Sequence, residues 1–185
     1  MPKEMFPVIT LDRSDHTQVR RVVYAVFEQL RKAGVRRFYI GVGRGKRAIE
    51  DHFNPDSRFL DSLGKRGKAP EGLCSFYNKI RTSSLTFLNQ PKQLGFGETV
   101  RLRRPLIKGT LLVQAADEFI LSAGDRYLDC LAVMHRKHSM AATFLLEDAP
   151  YLRRQGVVEG NSLKEGVFRI TSAVEKPQVP GPITR

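Results

Sequence analysis

Residues 90–97 read Gln-Pro-Lys-Gln-Leu-Gly-Phe-Gly, and they stand between a β-rich run and a helix-forming run. The side-chain amide of Gln90 offers donors and an acceptor that match the edge of a pyrimidine base. Gly95 and Gly97 would let the backbone approach such a flat ring closely. A strand-to-helix turn without any ligand is the alternative reading of the same pattern. The stretch therefore predicts a strand–turn–helix unit, the building block of an α/β fold.

Similar units are predicted along the rest of the chain. The clearest helix is expected over residues 14–33, where apolar residues recur at i, i+3 and i+4, with Ser14 or Asp15 as its cap and Gly34 as its stop. Residues 64–72 are predicted to form an exposed loop. Strands are predicted over residues 37–42, 85–89, 110–114, 141–146, 156–159 and 167–174, and further helices over residues 47–53, 57–63, 74–81, 98–103 and 126–134. This alternation predicts a mostly parallel sheet covered on both faces.

Length and composition indicate one globular domain with its own core. The chain has 185 residues, of which 41% are hydrophobic and 27% charged. No apolar run approaches the roughly 20 residues that span a bilayer, so no membrane association is expected. Cys74 and Cys130 are far apart and belong to no Cys-x-x-Cys pattern, which favours two reduced thiols and a cytoplasmic location.

The net charge of +12 indicates phosphate-bearing partners, either a nucleic acid or a small nucleotide. The basic residues are dispersed as doublets, such as Arg20-Arg21 and Arg153-Arg154, which is typical of solvated faces. Aromatic residues are not interleaved with them as they are in sheets that stack RNA bases. Nucleic-acid binding therefore rests on charge alone and is not expected.

Two other patterns are interpreted as structural. The stretch Gly41–Lys46 has one residue too few for a Walker phosphate loop and lacks the following Ser or Thr, so a strand-to-helix turn is predicted. His52 is predicted to be a packing or surface residue. His135 and His138 have no third metal ligand nearby in sequence and are interpreted as part of a basic helix end.

Asp117 follows the apolar run Leu111–Val113 closely. A carboxylate just beyond the carboxyl end of a buried parallel strand lies where α/β proteins hold ligands. Its oxygens are the kind of ligand that Mg²⁺ prefers. An N-cap or an exposed loop acid is the alternative interpretation.

Four segments in this order resemble the UTP–glucose-1-phosphate uridylyltransferases, members of the sugar-1-phosphate nucleotidyltransferase family. They are Pro2–Pro7, Gln90–Gly97, Ala116–Glu118 and Val174–Pro177. The resemblance implies a Rossmann-like, three-layer nucleotidyltransferase fold over residues 1–177, followed by an extended tail over residues 178–185. It also implies the reaction of UTP with glucose 1-phosphate to give UDP-glucose and diphosphate.

The resemblance further assigns a role to each matching residue. Lys3, Asp117 and Lys176 are the expected catalytic residues, with Asp117 holding Mg²⁺ and the lysines contacting phosphate groups. The expected base and sugar contacts are Gln90, Gly95, Gly97, Gly156 and Glu175. The implied ligands are UTP and glucose 1-phosphate, or UDP-glucose, and homo-oligomers are compatible with the resemblance.

The chain departs from the family pattern in ways that predict weak activity. It begins inside the first motif, so the family's first strand and Gly-rich nucleotide loop, and a later metal-binding Asp, are expected to be lacking. Phe96, Glu98 and Gln155 differ from the usual residues at their positions. The alternative is a non-catalytic relative that binds sugar nucleotides or serves as a regulatory subunit.

Overall fold

The computed structural model describes residues 1–11, 17–67, 71–92, 95–121, 126–147 and 155–177, and the chain divides into two compact units, Met1–Ser139 and Met140–Arg185. The strands are β1 (Pro7–Leu11), β2 (Thr17–Arg21), β3 (Arg37–Gly43), β4 (Ser84–Gln90), β5 (Gly156–Lys164) and β6 (Val167–Glu175). The helices are α1 (Val22–Lys32), α2 (Arg47–His52), α3 (Ser57–Lys65), α4 (Glu71–Arg81), α5 (Phe96–Arg101) and α6 (Arg126–His138).

The first unit is organised around the parallel pair of β3 and β4. Their register runs from Arg37 opposite Ser84 to Gly43 opposite Gln90, so both strands end at the same edge. Helices α2, α3 and α4 lie between the two strands in sequence, as a parallel connection requires. The predicted strands and helices of this region are confirmed, and Gln90 is placed at the carboxyl edge of the pair.

Helix α1 supplies the centre of the core, with buried residues in its first two turns. Phe27 is 3% exposed, and its ring centroid lies 5.0 Å from that of Phe38 and 5.2 Å from that of Phe53. Tilted and edge-on ring pairs of this kind add to the free energy gained from burial. Met5 belongs to the same cluster, so the core also anchors the start of the chain.

The start of the predicted first helix is wrong. Thr17–Arg21 forms β2, which pairs antiparallel with β1, and the helix runs over Val22–Lys32. Val19 continues the apolar spacing of the helix but is 72% exposed, and it pairs with Ile9 instead. The cap predicted at Ser14 or Asp15 lies outside the described residues. The predicted stop is confirmed, because Gly34 has the left-handed φ of 92° that glycine adopts easily.

Two predicted strands do not form. Residues 110–114 have no strand pairing, and Leu111 and Val113 are 39% and 43% exposed. Within the described ranges β4 is the only strand paired with β3, and residues 110–114 form no ladder with either strand. Residues 141–146 are also unpaired, and Phe144 is exposed. The predicted loop over residues 64–72 is confirmed only at residues 66–67, which form an exposed turn; residues 64–65 and 71–72 belong to α3 and α4, and residues 68–70 lie outside the described ranges.

The predicted strand-to-helix turn after β3 is confirmed, and His52 of α2 is a packing residue, as predicted. Gly45 has a φ of 81° and carries the chain from β3 into α2. The His52 ring stacks on Phe76 with centroids 5.1 Å apart, and its Nδ1 lies 2.8 Å from a guanidinium nitrogen of Arg21. Burial, together with the charge of Arg21, lowers the pKa of His52 to about 4. This histidine is therefore a neutral packing residue.

The described part of the second unit is an antiparallel hairpin of β5 and β6, with Gly156 opposite Glu175. The described sheets are thus one parallel and two antiparallel pairs, so the expected parallel arrangement is seen only at β3 and β4. The predicted tail over residues 178–185 lies outside the described ranges. Among the helices described, none combines the length and the apolar character needed to cross a bilayer.

Candidate functional site

Lys3 and Asp117 form an ion pair between the start of the chain and the turn that follows residues 111–115. Lys3 opens a 3₁₀ turn, Lys3–Met5, in which the Met5 amide donates to the Pro2 carbonyl at 3.0 Å. Met5 is 5% exposed and fixes this turn to the core. Ala116 packs against the same core next to Asp117. The two charged side chains are therefore held together by buried neighbours on both sides.

The pairing changes the ionisation of both groups. Partial burial opposes ionisation of Asp117, but the hydrogen bond and charge of Lys3 outweigh it, so the Asp117 pKa lies below its ordinary value. The hydrogen bond to Asp117, and then its charge, raise the pKa of Lys3. Asp117 is consequently a carboxylate at neutral pH, and Lys3 is an ammonium group beside it.

A cavity of about 610 Å³ opens beside this pair. Its apolar walls come from α1, β3 and the extended residues 111–113. The polar side chains and the glycine that line it beside these walls include Lys3, Glu4, Lys46, Gln90, Gly95 and Asp117. The volume is within the range of small-ligand sites, and apolar walls with a few polar groups are typical of them. Four of the predicted site residues, Lys3, Gln90, Gly95 and Asp117, thus share one cavity.

The side chain of Gln90 is held by its neighbours across the turn. Its Oε1 accepts a hydrogen bond from the Thr99 hydroxyl at 2.9 Å, and its Nε2 donates to the Gly95 carbonyl at 3.3 Å. Gly95 has a φ of 98°, which suits a residue without a Cβ atom. Each end of the amide keeps further hydrogen-bonding capacity, since it has two N–H groups and two oxygen lone pairs. The Gln90 amide is therefore held in one orientation and can still form further hydrogen bonds with a ligand.

Gly97 is placed differently from Gly95. It lies in the first turn of α5 and is not among the residues that line the cavity. A Cβ atom added to Gly97 would meet no atom within 4 Å. No steric reason for glycine is present at this position, and the predicted base contact of Gly97 stays a prediction.

The three remaining predicted residues lie together in the second unit. Gly156 pairs with Glu175 across the hairpin, and a Cβ atom at Gly156 would lie 3.1 Å from Glu175 Oε2. Lys176 has a φ of 49°, its amide donates to the Gln155 carbonyl at 3.0 Å, and its Nζ lies 3.6 Å from Glu175 Oε1. Both charged side chains are largely exposed. Their convergence with Asp117 stays a prediction.

Four residues near the cavity were not assigned from the sequence. Glu4 and Lys46 form an ion pair, and Thr99 orients Gln90. Arg103 is 3% exposed and donates to the carbonyls of Thr99, at 2.5 Å, and Leu88, at 3.2 Å. A Cβ atom on Gly41 would lie 2.6 Å from Thr99 Cγ2. The contacts of Glu4 with Lys46, of Arg103 with Leu88 and of Gly41 with Thr99 join distant parts of the sequence, so no local pattern indicates them.

Metal ligands are sparse in the described ranges. No group of three or more His, Cys, Asp or Glu side chains could hold a metal ion there. His135 and His138 lie in the last turn of α6 with Arg136 and Lys137, as the prediction of a basic helix end requires. A metal bound at Asp117 would therefore take most of its ligands from the substrate and water, an arrangement that is usual for Mg²⁺.

Comparison with known proteins confirms the resemblance seen in the sequence. The chain is 30% identical over 180 residues to a UTP–glucose-1-phosphate uridylyltransferase of Pseudomonas aeruginosa, covering 96% of this chain and 61% of that protein. A crystal structure of apo UDP-glucose pyrophosphorylase matches 96% of this chain and 63% of its own, with a TM-score of 0.74 and 24% identity. A crystal structure of UDP-glucose pyrophosphorylase complexed with UDP-glucose matches 96% of this chain and 61% of its own, with a TM-score of 0.71 and 24% identity. No protein-family model matches the chain.

These matches establish the fold and a group of similar proteins. The TM-scores show the fold of the UDP-glucose pyrophosphorylases, with mixed helices and strands. The chain spans about three fifths of the length of the curated relatives that it matches. Along almost its whole length, the chain is thus similar to the UTP–glucose-1-phosphate uridylyltransferases and has the nucleotidyltransferase fold of UDP-glucose pyrophosphorylases.

Proposed function

We propose that the chain binds UTP and glucose 1-phosphate and transfers the uridylyl group to give UDP-glucose and diphosphate. The observation that carries this proposal is the shared cavity of Lys3, Asp117 and Gln90. The carboxylate of Asp117 suits a metal ion, the ammonium group of Lys3 suits a phosphate, and the oriented amide of Gln90 suits a base. The similarity to uridylyltransferases over 96% of the chain supports the same assignment.

The proposed reaction needs no protein nucleophile. An oxygen of the sugar phosphate forms a bond to the α-phosphorus of UTP, and the bond from that phosphorus to the bridging oxygen breaks, releasing diphosphate. Gln90 and Gly95 would position the base, and Lys3 would offset negative charge on the phosphates. Glu175 would bind sugar hydroxyls and Lys176 the sugar phosphate, consistent with their adjacent and exposed side chains.

Mg²⁺ is the proposed cofactor, held by Asp117. The donor fits, since the carboxylate is ionised and lines the cavity. When bound, Mg²⁺ would neutralise charge on the phosphates of both substrates. In the structure the ammonium group of Lys3 pairs with Asp117 Oδ2. Movement of this ammonium group to a phosphate of the substrate would leave that carboxylate oxygen free to bind the metal.

The finer architecture is part of the same proposal. We infer one nucleotidyltransferase domain over residues 1–177, with a mostly parallel sheet built out from β3 and β4. The apolar cavity runs along β3, and the edge of β3 opposite β4 has no strand partner in the described ranges. A further strand on that edge would complete the sheet.

Two surface properties support a cytoplasmic location and the formation of homo-oligomers as further parts of the proposal. Cys74 and Cys130 are both free and exposed, which supports a reducing, cytoplasmic location. Ile9, Leu11 and Val19 form an exposed apolar face on the hairpin of β1 and β2, which supports association of copies. Both features are compatible with an enzyme that works on nucleotides and sugar phosphates.

The test is diphosphate release from UTP, glucose 1-phosphate and Mg²⁺, measured for the chain and for Asp117→Asn. Asp61→Asn in α3 is the matched control, because it removes an exposed carboxylate that does not line the cavity. We expect Mg²⁺-dependent release that falls at least about 100-fold in Asp117→Asn and is unchanged in Asp61→Asn. The same assay tests whether release is weak, as the departures from the family pattern predict.

Three other outcomes would change the assignment. Release that Asp117→Asn leaves intact would show that the metal assignment is wrong. UDP-glucose binding without release would favour the non-catalytic relative. Absence of both binding and release would overturn the proposed function.

A further inference from the structure

Lys46 and Glu4 form a second lysine–carboxylate pair in the lining of the cavity, next to Lys3 and Asp117. Lys46 stands at the end of the turn from β3, immediately before α2, and its ammonium group donates to Glu4 Oε1. Glu4 is 6% exposed and belongs to the same 3₁₀ turn as Lys3. The predicted roles from the sequence include neither Lys46 nor Glu4.

We propose that Lys46 is a second cation of the substrate site, which binds a phosphate group of the nucleotide together with Lys3. This inference rests on the proposed function and adds a binding residue to it. The ligand chemistry is that of a polyphosphate, whose charge is shared between two ammonium groups. Each of these groups forms an ion pair with a carboxylate, Lys3 with Asp117 and Lys46 with Glu4.

Lys46 has unused hydrogen-bonding capacity. An ammonium group carries three donors, and among the described residues only Glu4 accepts from Lys46. The Lys46 side chain is 33% exposed to solvent, whereas the Glu4 side chain is 8% exposed. The remaining donors are therefore available to a ligand in the cavity without breaking the contact with Glu4.

Glu4 keeps Lys46 from moving away. Its second oxygen, Oε2, is buried and has no hydrogen-bond partner among the described residues, so Lys46 is the one cation that pairs directly with this carboxylate there. Withdrawal of Lys46 would leave a buried charge uncompensated, which is strongly unfavourable. A cation that is fixed before the ligand arrives loses little entropy on binding, which makes it a better phosphate site than a free surface lysine.

Lys46 also lies within electrostatic reach of the reacting region. Its positive charge is one of the causes that lower the pKa of Asp117, after the effects of Lys3. A phosphate that contacts Lys3 beside Asp117 would therefore lie in the positive potential of Lys46 as well. Arg44 and Arg47, the basic neighbours of Lys46 in sequence, are not among the residues that line the cavity.

A structural role for the pair predicts a different outcome. If Lys46 only ties the first turn of the chain to α2, its loss would lower stability and weaken all ligands alike. If it binds phosphate, its loss would weaken UTP and leave uridine unaffected. The comparison of these two ligands therefore separates the roles.

The experiment is an NMR titration of the chain with UTP and with uridine. The variants are Lys46→Met, Lys46→Arg and the double variant Glu4→Gln with Lys46→Met, which removes the unpaired buried charge and so protects folding. Lys65→Met, at the exposed end of α3, is the control for loss of one positive charge. Thermal unfolding of each variant checks that the fold is retained.

We expect UTP to bind about tenfold more weakly to both Met variants, with uridine unchanged, affinity largely restored in Lys46→Arg and no effect in Lys65→Met. Equal losses for UTP and uridine, or no loss for UTP, would overturn the role of Lys46 alone. Absence of UTP binding by the unaltered chain would overturn both this inference and the proposed function.

Discussion

Lys3 and Asp117 meet in an ion pair although they come from opposite ends of the first unit's sequence. The Lys3 side chain is exposed, but Met5 in its 3₁₀ turn and Ala116 beside Asp117 both pack against one core, which brings the two charged groups close together. The ion pair brings together two of the residues that the sequence predicts to be catalytic. The ionisation of one partner should therefore report directly on the presence of the other.

The first prediction concerns the pKa of Asp117. Lys3→Met should raise the Asp117 pKa, because partial burial favours the neutral acid. Without Lys3, only a backbone hydrogen bond and the charge of Lys46 still favour the carboxylate. A titration of the Asp117 carboxyl carbon by NMR measures the change, with Lys65→Met as the control. An Asp117 pKa that is the same in both variants would contradict the ion pair.

The second prediction concerns His52 and stability at low pH. Its pKa is about 4 in the folded chain and 6.5 as an unperturbed group, so the unfolded chain takes up the proton first as pH falls. The stability contributed by neutral His52 is complete above pH 6.5 and is lost as pH falls towards 4. The loss should amount to about 2 kcal/mol, since solvent partly screens the half-buried ring.

Denaturant unfolding at pH 7 and pH 4.5 measures this effect. His52→Phe should lose less stability between the two pH values than the unaltered chain, because it has no group to protonate at this position. Carboxylates titrate in both proteins, so the difference between them isolates His52. An identical loss in the two proteins would show that His52 is not held neutral.

The strands and helices around β3 and β4 could be predicted because their signals are local. Apolar spacing and a following glycine locate the body and end of α1, and β-branched or aromatic runs locate both strands. The hairpin of β1 and β2 was missed because Val19 continues the apolar spacing of α1 and so indicated a helix. In the structure Val19 pairs with Ile9 instead. Residues 110–114 were predicted to form a strand from their apolar run, yet a strand also needs a partner ladder.

The candidate site could be predicted only in part, for the same reason. Lys3, Gln90 and Asp117 were identified from motifs, and they share a cavity. The contacts that position them were not predictable, because Glu4 meets Lys46 only after the chain has folded. Motifs indicate candidate ligand-binding residues, whereas the contacts that position these residues depend on tertiary packing.

The third prediction concerns the contact between β3 and α5. In Gly41→Ala the new Cβ atom would lie 2.6 Å from Thr99 Cγ2 and 2.9 Å from Arg103 Nη2, so α5 must shift. We expect a loss of about 1–3 kcal/mol in the free energy of unfolding. Gly64→Ala, inside α3 with nothing within 4 Å, is the control and should be neutral or stabilising. A neutral effect of Gly41→Ala would mean that α5 does not pack closely on β3.

The last prediction tests whether Thr99 positions Gln90 for a ligand. The Thr99 hydroxyl donates to Gln90 Oε1 at 2.9 Å, and that bond restrains a side chain with several free torsions. Thr99→Val keeps the shape but removes the donor, so Gln90 should lose its fixed orientation. We expect UDP-glucose to bind about threefold to tenfold more weakly, the cost of one neutral hydrogen bond, and Thr99→Ser to restore the affinity. The measurement is calorimetric titration with UDP-glucose, with Gln90→Leu as the reference for complete loss of the amide. If Gln90→Leu weakens binding while Thr99→Val does not, Gln90 contacts the ligand without help from Thr99. If neither variant weakens binding, the amide has no part in the site.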